Sequence, residues 1–171
     1  MARWALVSML VFLSCSAWAQ AKPPEYSVKA AYLVNFGKFA KWPSEPSTFS
    51  ICVIGKDPFG GSLERIVSGE AIGGRPIVVR DVSAMRKIDD CQILFIGNSE
   101  RARLGPILAS VQGQSVLTVS DIPEFLERGG MIQFEIVDNR VRFSINLRQA
   151  REAKLNISSD LLNVAVKVEG R

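Results

Sequence analysis

Four short apolar runs, at residues 50–54, 77–80, 93–96 and 116–119, constrain the fold more than any other feature of the chain. Each is rich in Val, Ile and Leu and too short for an ordinary helix. The intervening stretches 62–67, 101–111 and 123–128 carry helical spacing. A strand whose consecutive residues are all apolar is buried on both faces, which is the condition of a parallel sheet covered by helices above and below. The expected fold class is therefore α/β: a mostly parallel, doubly wound, Rossmann-like sandwich.

Two other segments complete the fold expectation. Residues 27–42 read as the strongest helix: Val28, Tyr32, Leu33, Phe36, Phe39 and Ala40 share a broad face on a helical wheel, Lys38 and Lys41 lie opposite, and Pro43 stops the run. Near the C-terminus, Ile132, Phe134 and Ile136 alternate with Gln133 and Glu135. After Asp138-Asn139, Val141, Phe143 and Ile145 alternate with Arg142 and Ser144. A two-residue turn pairs 136 with 141, 134 with 143 and 132 with 145, putting six apolar side chains on one face and Glu135 opposite Arg142 on the other. Helices are expected at 147–154 and, capped by Ser158 or Ser159, at 161–168.

The first nineteen residues read as an export signal. Arg3 precedes an apolar run at 4–13, and Ala17-Trp18-Ala19 supplies a small-x-small cleavage pattern. The run is too short to span a bilayer, which needs about 20 residues. The remaining residues, about 150, suffice for one domain, 20–171. Basic and acidic residues are interspersed (21 Lys and Arg against 17 Asp and Glu), without the one-sided basic surface of a nucleic-acid binder.

The sequence contains no histidine, which removes the commonest general base, the usual triads and most zinc sites. Catalysis would need carboxylates, Lys or Tyr, and neither a catalytic constellation, a metal site nor a cofactor site is expected. Beyond the export segment, Cys52 lies in the strand-like stretch 49–54 and Cys91 just before the run at 93–96. An even count in an oxidising compartment favours a disulfide. Two separate buried thiols are the alternative.

Two groups of residues invite a chemical reading. Gly55, Asp57, Gly60, Gly61 and Ser62 follow a strand and open a helix with glycine spacing like a phosphate loop, but Gly61 stands where the phosphate-neutralising Lys belongs. Either backbone N–H groups there hold an anion, or the glycines only make a turn. Asp81, Asp89, Asp90 and Asp121 sit at strand ends or connections, where carboxylates serve catalysis or cap turns. Gly129-Gly130 turns the chain into the hairpin.

The segments Tyr26-Ser27-Val28-Lys29-Ala30-Ala31-Tyr32-Leu33-Val34-Asn35-Phe36, Cys52-Val53-Ile54-Gly55, Gly74-Arg75-Pro76, Cys91-Gln92-Ile93-Leu94-Phe95-Ile96, Gly129-Gly130-Met131-Ile132-Gln133-Phe134 and Val141-Arg142-Phe143-Ser144-Ile145-Asn146 together resemble the YfiR family of periplasmic proteins. The resemblance implies an exported, non-enzymatic repressor. Such a protein binds the periplasmic portion of an inner-membrane diguanylate cyclase, lowering cyclic di-GMP and biofilm formation, and an outer-membrane lipoprotein can sequester it. It further implies an α/β sandwich that tends to form a homodimer. Cys52 and Cys91 match one of two family cysteine pairs in spacing, while Leu126 and Gln133 stand about where the second would lie. Relatives often carry Glu in place of Ser144. The expected partner surface is Gln133, Glu135, Arg142, Ser144 and Asn146. The alternatives are a small-ligand or anion binder using the loop at 55–62, and an interaction module for another membrane sensor.

Overall fold

The computed structural model describes residues 25–82 and 88–171; the expected export segment lies outside the described residues. In chain order the main elements are α1 (Glu25–Phe39), β1 (Ala40–Lys41), β2 (Phe49–Ile54), α2 (Ser62–Val67), β3 (Ala71–Ile72), β4 (Arg75–Asp81), β5 (Ile93–Ile96) and a 3-10 turn (Asn98–Arg103). Next come α3 (Leu104–Ser110), β6 (Leu117–Ser120), β7 (Ile132–Val137), β8 (Arg140–Asn146), α4 (Leu147–Glu152), β9 (Asn156–Ile157), α5 (Ser159–Val164) and β10 (Val168–Glu169).

Eight strands form one sheet in the order β10-β8-β7-β6-β5-β2-β4-β3. Strands β4, β2, β5, β6 and β7 run parallel. The four apolar runs thus become β2, β4, β5 and β6, and the mostly parallel α/β sandwich is the observed architecture. Side chains alternate between two cores along β2: Phe49, Ile51 and Val53 enter one with residues of α1, α2, α4 and α5, while Cys52 and Ile54 enter a second with Leu104 and Ile107 of α3. Both faces of the central strands are covered, the physical reason their sequences lack polar alternation.

The hairpin register matches the sequence expectation pair for pair, including Glu135 with Arg142 and Gln133 with Ser144. Asp138 and Asn139 take φ of 48° and 59°, the left-handed pair a two-residue turn with matching twist requires. On the inner face, Phe36 of α1 packs against Phe134 and Phe143 at centroid distances of 5.7 and 5.0 Å. Ile136, next to the turn, extends past this cover and is exposed.

Several boundaries differ from the expectation. Helix α1 stops at Phe39, because Ala40 and Lys41 leave it to pair antiparallel with Ile157 and Asn156. Phe39 is consequently exposed, while Lys29 is buried on the helix face that was assigned to apolar residues. Residues 123–128 form turns instead of a helix. There the Gln133 side-chain carbonyl accepts the N–H groups of Phe125 and Leu126, and Glu124 takes a φ of 61°. Helix α5 ends at Val164, ahead of the expected 168, because the chain beyond it extends along β8: Val166 N–H bonds Phe143 O and Ile145 N–H bonds Lys167 O.

Candidate functional site

In open parallel sheets, ligands favour the crevice at the carboxyl ends of the strands where the chain order reverses, which here lies between β2 and β5. The loop after β2 carries the glycine-rich sequence. Gly55, Gly60 and Gly61 all take positive φ (93°, 55° and 78°), a conformation that glycine adopts without a Cβ penalty. Asp57 Oδ1 accepts the Phe59 N–H at 2.8 Å, and Phe59 turns inward, its ring 4.8 Å from that of Phe95. Ser62 is buried with its hydroxyl 3.2 Å from that of Ser27. Ser99 Oγ accepts the Lys56 N–H at 2.9 Å across the reversal point. A side chain added at Gly55 would stand 2.5 Å from Ser99 Oγ, so the two loops meet closely.

Beside this loop is a partly buried polar cluster. Asp121, directly after β6, accepts from the Tyr26 hydroxyl at 2.7 Å and from Lys29 Nζ at 2.6 Å, both through Oδ2. Lys29 also pairs with Glu25 one turn back, and its ammonium lies 4.3 Å from the Tyr26 ring centroid. Burial, followed by the Asp121 hydrogen bond and charge, pushes the Tyr26 hydroxyl far above the usual tyrosine range. A phenol so held is a poor proton donor at neutral pH, and the lysine has two carboxylate partners. The geometry suits a clamp between α1 and the sheet better than acid–base chemistry. Of the other aspartates, Asp90 makes an exposed ion pair with Arg80 at 3.7 Å.

On the outer face of β7 and β8, the turn segment at 123–128 meets Gln133 and Asn146. Gln133 and Asn146 are anchored there. Gln133 Oε1 holds the Phe125 and Leu126 N–H groups, while Asn146 caps α4 through the Gln149 N–H and donates to Leu126 O. Glu135 is half-buried, Arg142 exposed and Ser144 buried. Ser144 Oγ has no hydrogen-bond partner among the described residues. A cleft of about 270 Å³ opens beside it, lined by Gln133, Glu135, Glu127, Lys167 and Glu169 among others. Lys167 pairs with Glu169 at 2.5 Å, and this hydrogen bond and charge, with Glu127 and Glu135 behind, raise the ammonium above its ordinary pKa.

Cys52 and Cys91 form a disulfide across a sequence separation of 39 residues with Cα atoms 5.8 Å apart. It lies in the second core with Leu104 and Ile107 of α3. Among the described residues, no group of three or more His, Cys, Asp or Glu side chains could hold a metal ion, and no helix is long and apolar enough to cross a membrane.

Sequence reasoning gave the hairpin residues and the loop but missed Lys29, Glu127, Lys167 and Glu169. Lys29 had a signal: it precedes Leu33 by four and Phe36 by seven, on the buried stripe of α1. The other three come together only through the return of the chain alongside β8.

These features define a mostly parallel α/β domain whose buried polar groups are largely paired within the fold, leaving an incompletely covered hairpin face. The chain belongs to the YfiR/HmsC-like family, with residues 26–166 matched, and so to a family of periplasmic regulators. Among solved structures it is similar to a conserved domain protein from Vibrio cholerae O1 biovar El Tor. That likeness has a TM-score of 0.58 and 13% identity, over 82% of this chain and 60% of that one. It is also similar to an ABC domain in complex with L-Trp from Streptococcus pneumonia (TM-score 0.56, 11% identity, 84% of this chain and 60% of that one). At such identities the likeness is one of fold.

Proposed function

We propose that this protein is a non-enzymatic periplasmic repressor that binds the periplasmic portion of an inner-membrane diguanylate cyclase and holds it inactive. The observation that carries the reading is the family match over 26–166. Two features of the chain support it: the absence of histidine from the sequence, and a hairpin whose outer face is only partly covered. A binding protein acts on such an enzyme by preferring one of its states, and its differential affinity sets the degree of repression. The docking face in this reading is Gln133, Glu135, Arg142 and Ser144 with the neighbouring Asn146. Gln133 and Asn146 keep its backbone rigid, leaving Glu135 and Arg142 as accessible charges. Co-purification with a membrane cyclase, lost when Glu135 and Arg142 are both reversed in charge, is the expected result. A complex unaffected by that double reversal would move the docking face elsewhere.

A second reading, small-ligand binding, is favoured by an open depression of about 460 Å³ between α3 and α4, lined by Leu108, Val111 and Met131 with Arg128 and Glu152. Its volume falls in the range of about 300–1,000 Å³ usual for small-molecule sites. Thermal-shift screening against amino acids and anions tests it, since a ligand that binds only the folded state raises the melting temperature.

A further inference from the structure

The cleft behind the hairpin combines observations that the docking surface alone does not require. Ser144 is 2% exposed and its Oγ has no hydrogen-bond partner among the described residues, although it lines the cleft. A buried hydroxyl without a partner costs about 1–3 kcal/mol, so its retention beside an open cleft points to a partner arriving from outside. The other polar groups of the lining specify which kind. Gln133 Oε1 is already occupied by two backbone N–H groups. Three carboxylates, Glu127, Glu135 and Glu169, face a single lysine, Lys167, which is engaged by Glu169. Outside the lining, Arg142 stands opposite Glu135 in the hairpin register and competes for that carboxylate. The available chemistry is thus an unfilled hydroxyl acceptor ringed by negative charge. At about 270 Å³ the cleft is smaller than most small-molecule sites but has room for one side chain.

We infer that this cleft receives a single arginine side chain from the protein partner. The guanidinium fits better than an ammonium because its planar fork of donors can reach Ser144 Oγ and the flanking carboxylates together. The inference deepens the repressor reading and rests on it, in that the arginine belongs to the protein that this domain regulates.

The test is a titration of the isotope-labelled protein with N-acetyl-arginine N-methylamide, followed by NMR, with the neutral citrulline counterpart as control. The expected result is saturable movement of the Gln133, Ser144 and Lys167 amide signals with a dissociation constant of about 1–10 mM. Citrulline should leave these signals in place, and Ser144→Val and Glu135→Gln should each weaken binding by about three- to tenfold. Glu127→Gln, at an exposed position, gives the same test should Ser144→Val fail to fold. Absent movement, equal response to citrulline, or binding unchanged in the variants would overturn the inference. Repression of cyclic di-GMP by the intact protein without arginine binding sinks the inference alone. Arginine binding without any effect on cyclic di-GMP sinks the repressor reading and leaves the site.

Discussion

Lys29 Nζ lies 2.6 Å from Oδ2 of Asp121, joining the first helix of the domain to the carboxyl end of β6 across 92 residues of sequence. The lysine side chain is 3% exposed and the aspartate 12%, so the contact is shielded from water and from salt. It fixes α1 along the sheet beside the hairpin, whose inner aromatic residues the same helix covers.

Truncating this pair should be costly. Lys29→Ala leaves the Asp121 carboxylate without its main cation, and a loss of about 3 kcal/mol is expected, the scale of breaking a buried ion pair. Adding Asp121→Ala should cost less than the sum of the single changes, because the residues share one interaction. Urea unfolding of the two single variants and the double variant checks both statements.

The Tyr26 hydroxyl should resist ionisation. Its pKa is raised chiefly by burial and then by Asp121, so folding favours the neutral phenol. The associated stability is fully present below the ordinary tyrosine value of about 10 and is lost as pH rises through and beyond it. In a Tyr32→Phe variant, where Tyr26 is the remaining tyrosine, the ultraviolet signature of phenolate should appear only well above that value or together with unfolding. Ionisation near the ordinary value in the folded protein would contradict the partly buried cluster.

Reduction of the Cys52–Cys91 bridge should destabilise the protein by about 4 kcal/mol on the chain-entropy account for a loop of this size. Denaturant unfolding with and without a thiol reductant measures the difference. Freshly isolated protein showing two free thiols at these positions by mass spectrometry would refute the bridge.

Gly130→Ala should destabilise by about 1–3 kcal/mol through overpacking. A Cβ there would stand 2.2 Å from the Phe125 ring, which is fully buried in the second core. The measured thermal midpoint should fall, whereas Gly113→Ala, with open space around the glycine, tests only its φ of 79°.

How much of this was legible in the sequence depended on whether local signals agreed. The hairpin was readable residue by residue because turn chemistry, apolar alternation and the Glu135–Arg142 pair all demand one register. The parallel core was readable because burial on both faces leaves an unbroken apolar run. Residues 123–128 misled because Pro123 and the apolar spacing imitate a helix start. The decisive contact is instead the Gln133 side chain, which takes the backbone donors of Phe125 and Leu126. Lys29 was hidden by its type, since a lysine reads as solvated until a distant carboxylate is placed beside it. The cleft at Ser144 was half visible: Glu135 and Ser144 lay on the expected outer face. Lys167 and Glu169 reached it only because α5 ends early and the chain returns along β8.

Repression itself is read from the cellular level of cyclic di-GMP after deletion of this protein in its own bacterium, with the intact chain restored as control. A repressor predicts a rise on deletion that the intact chain reverses and a Glu135, Arg142 double charge reversal does not. An unchanged level would contradict it.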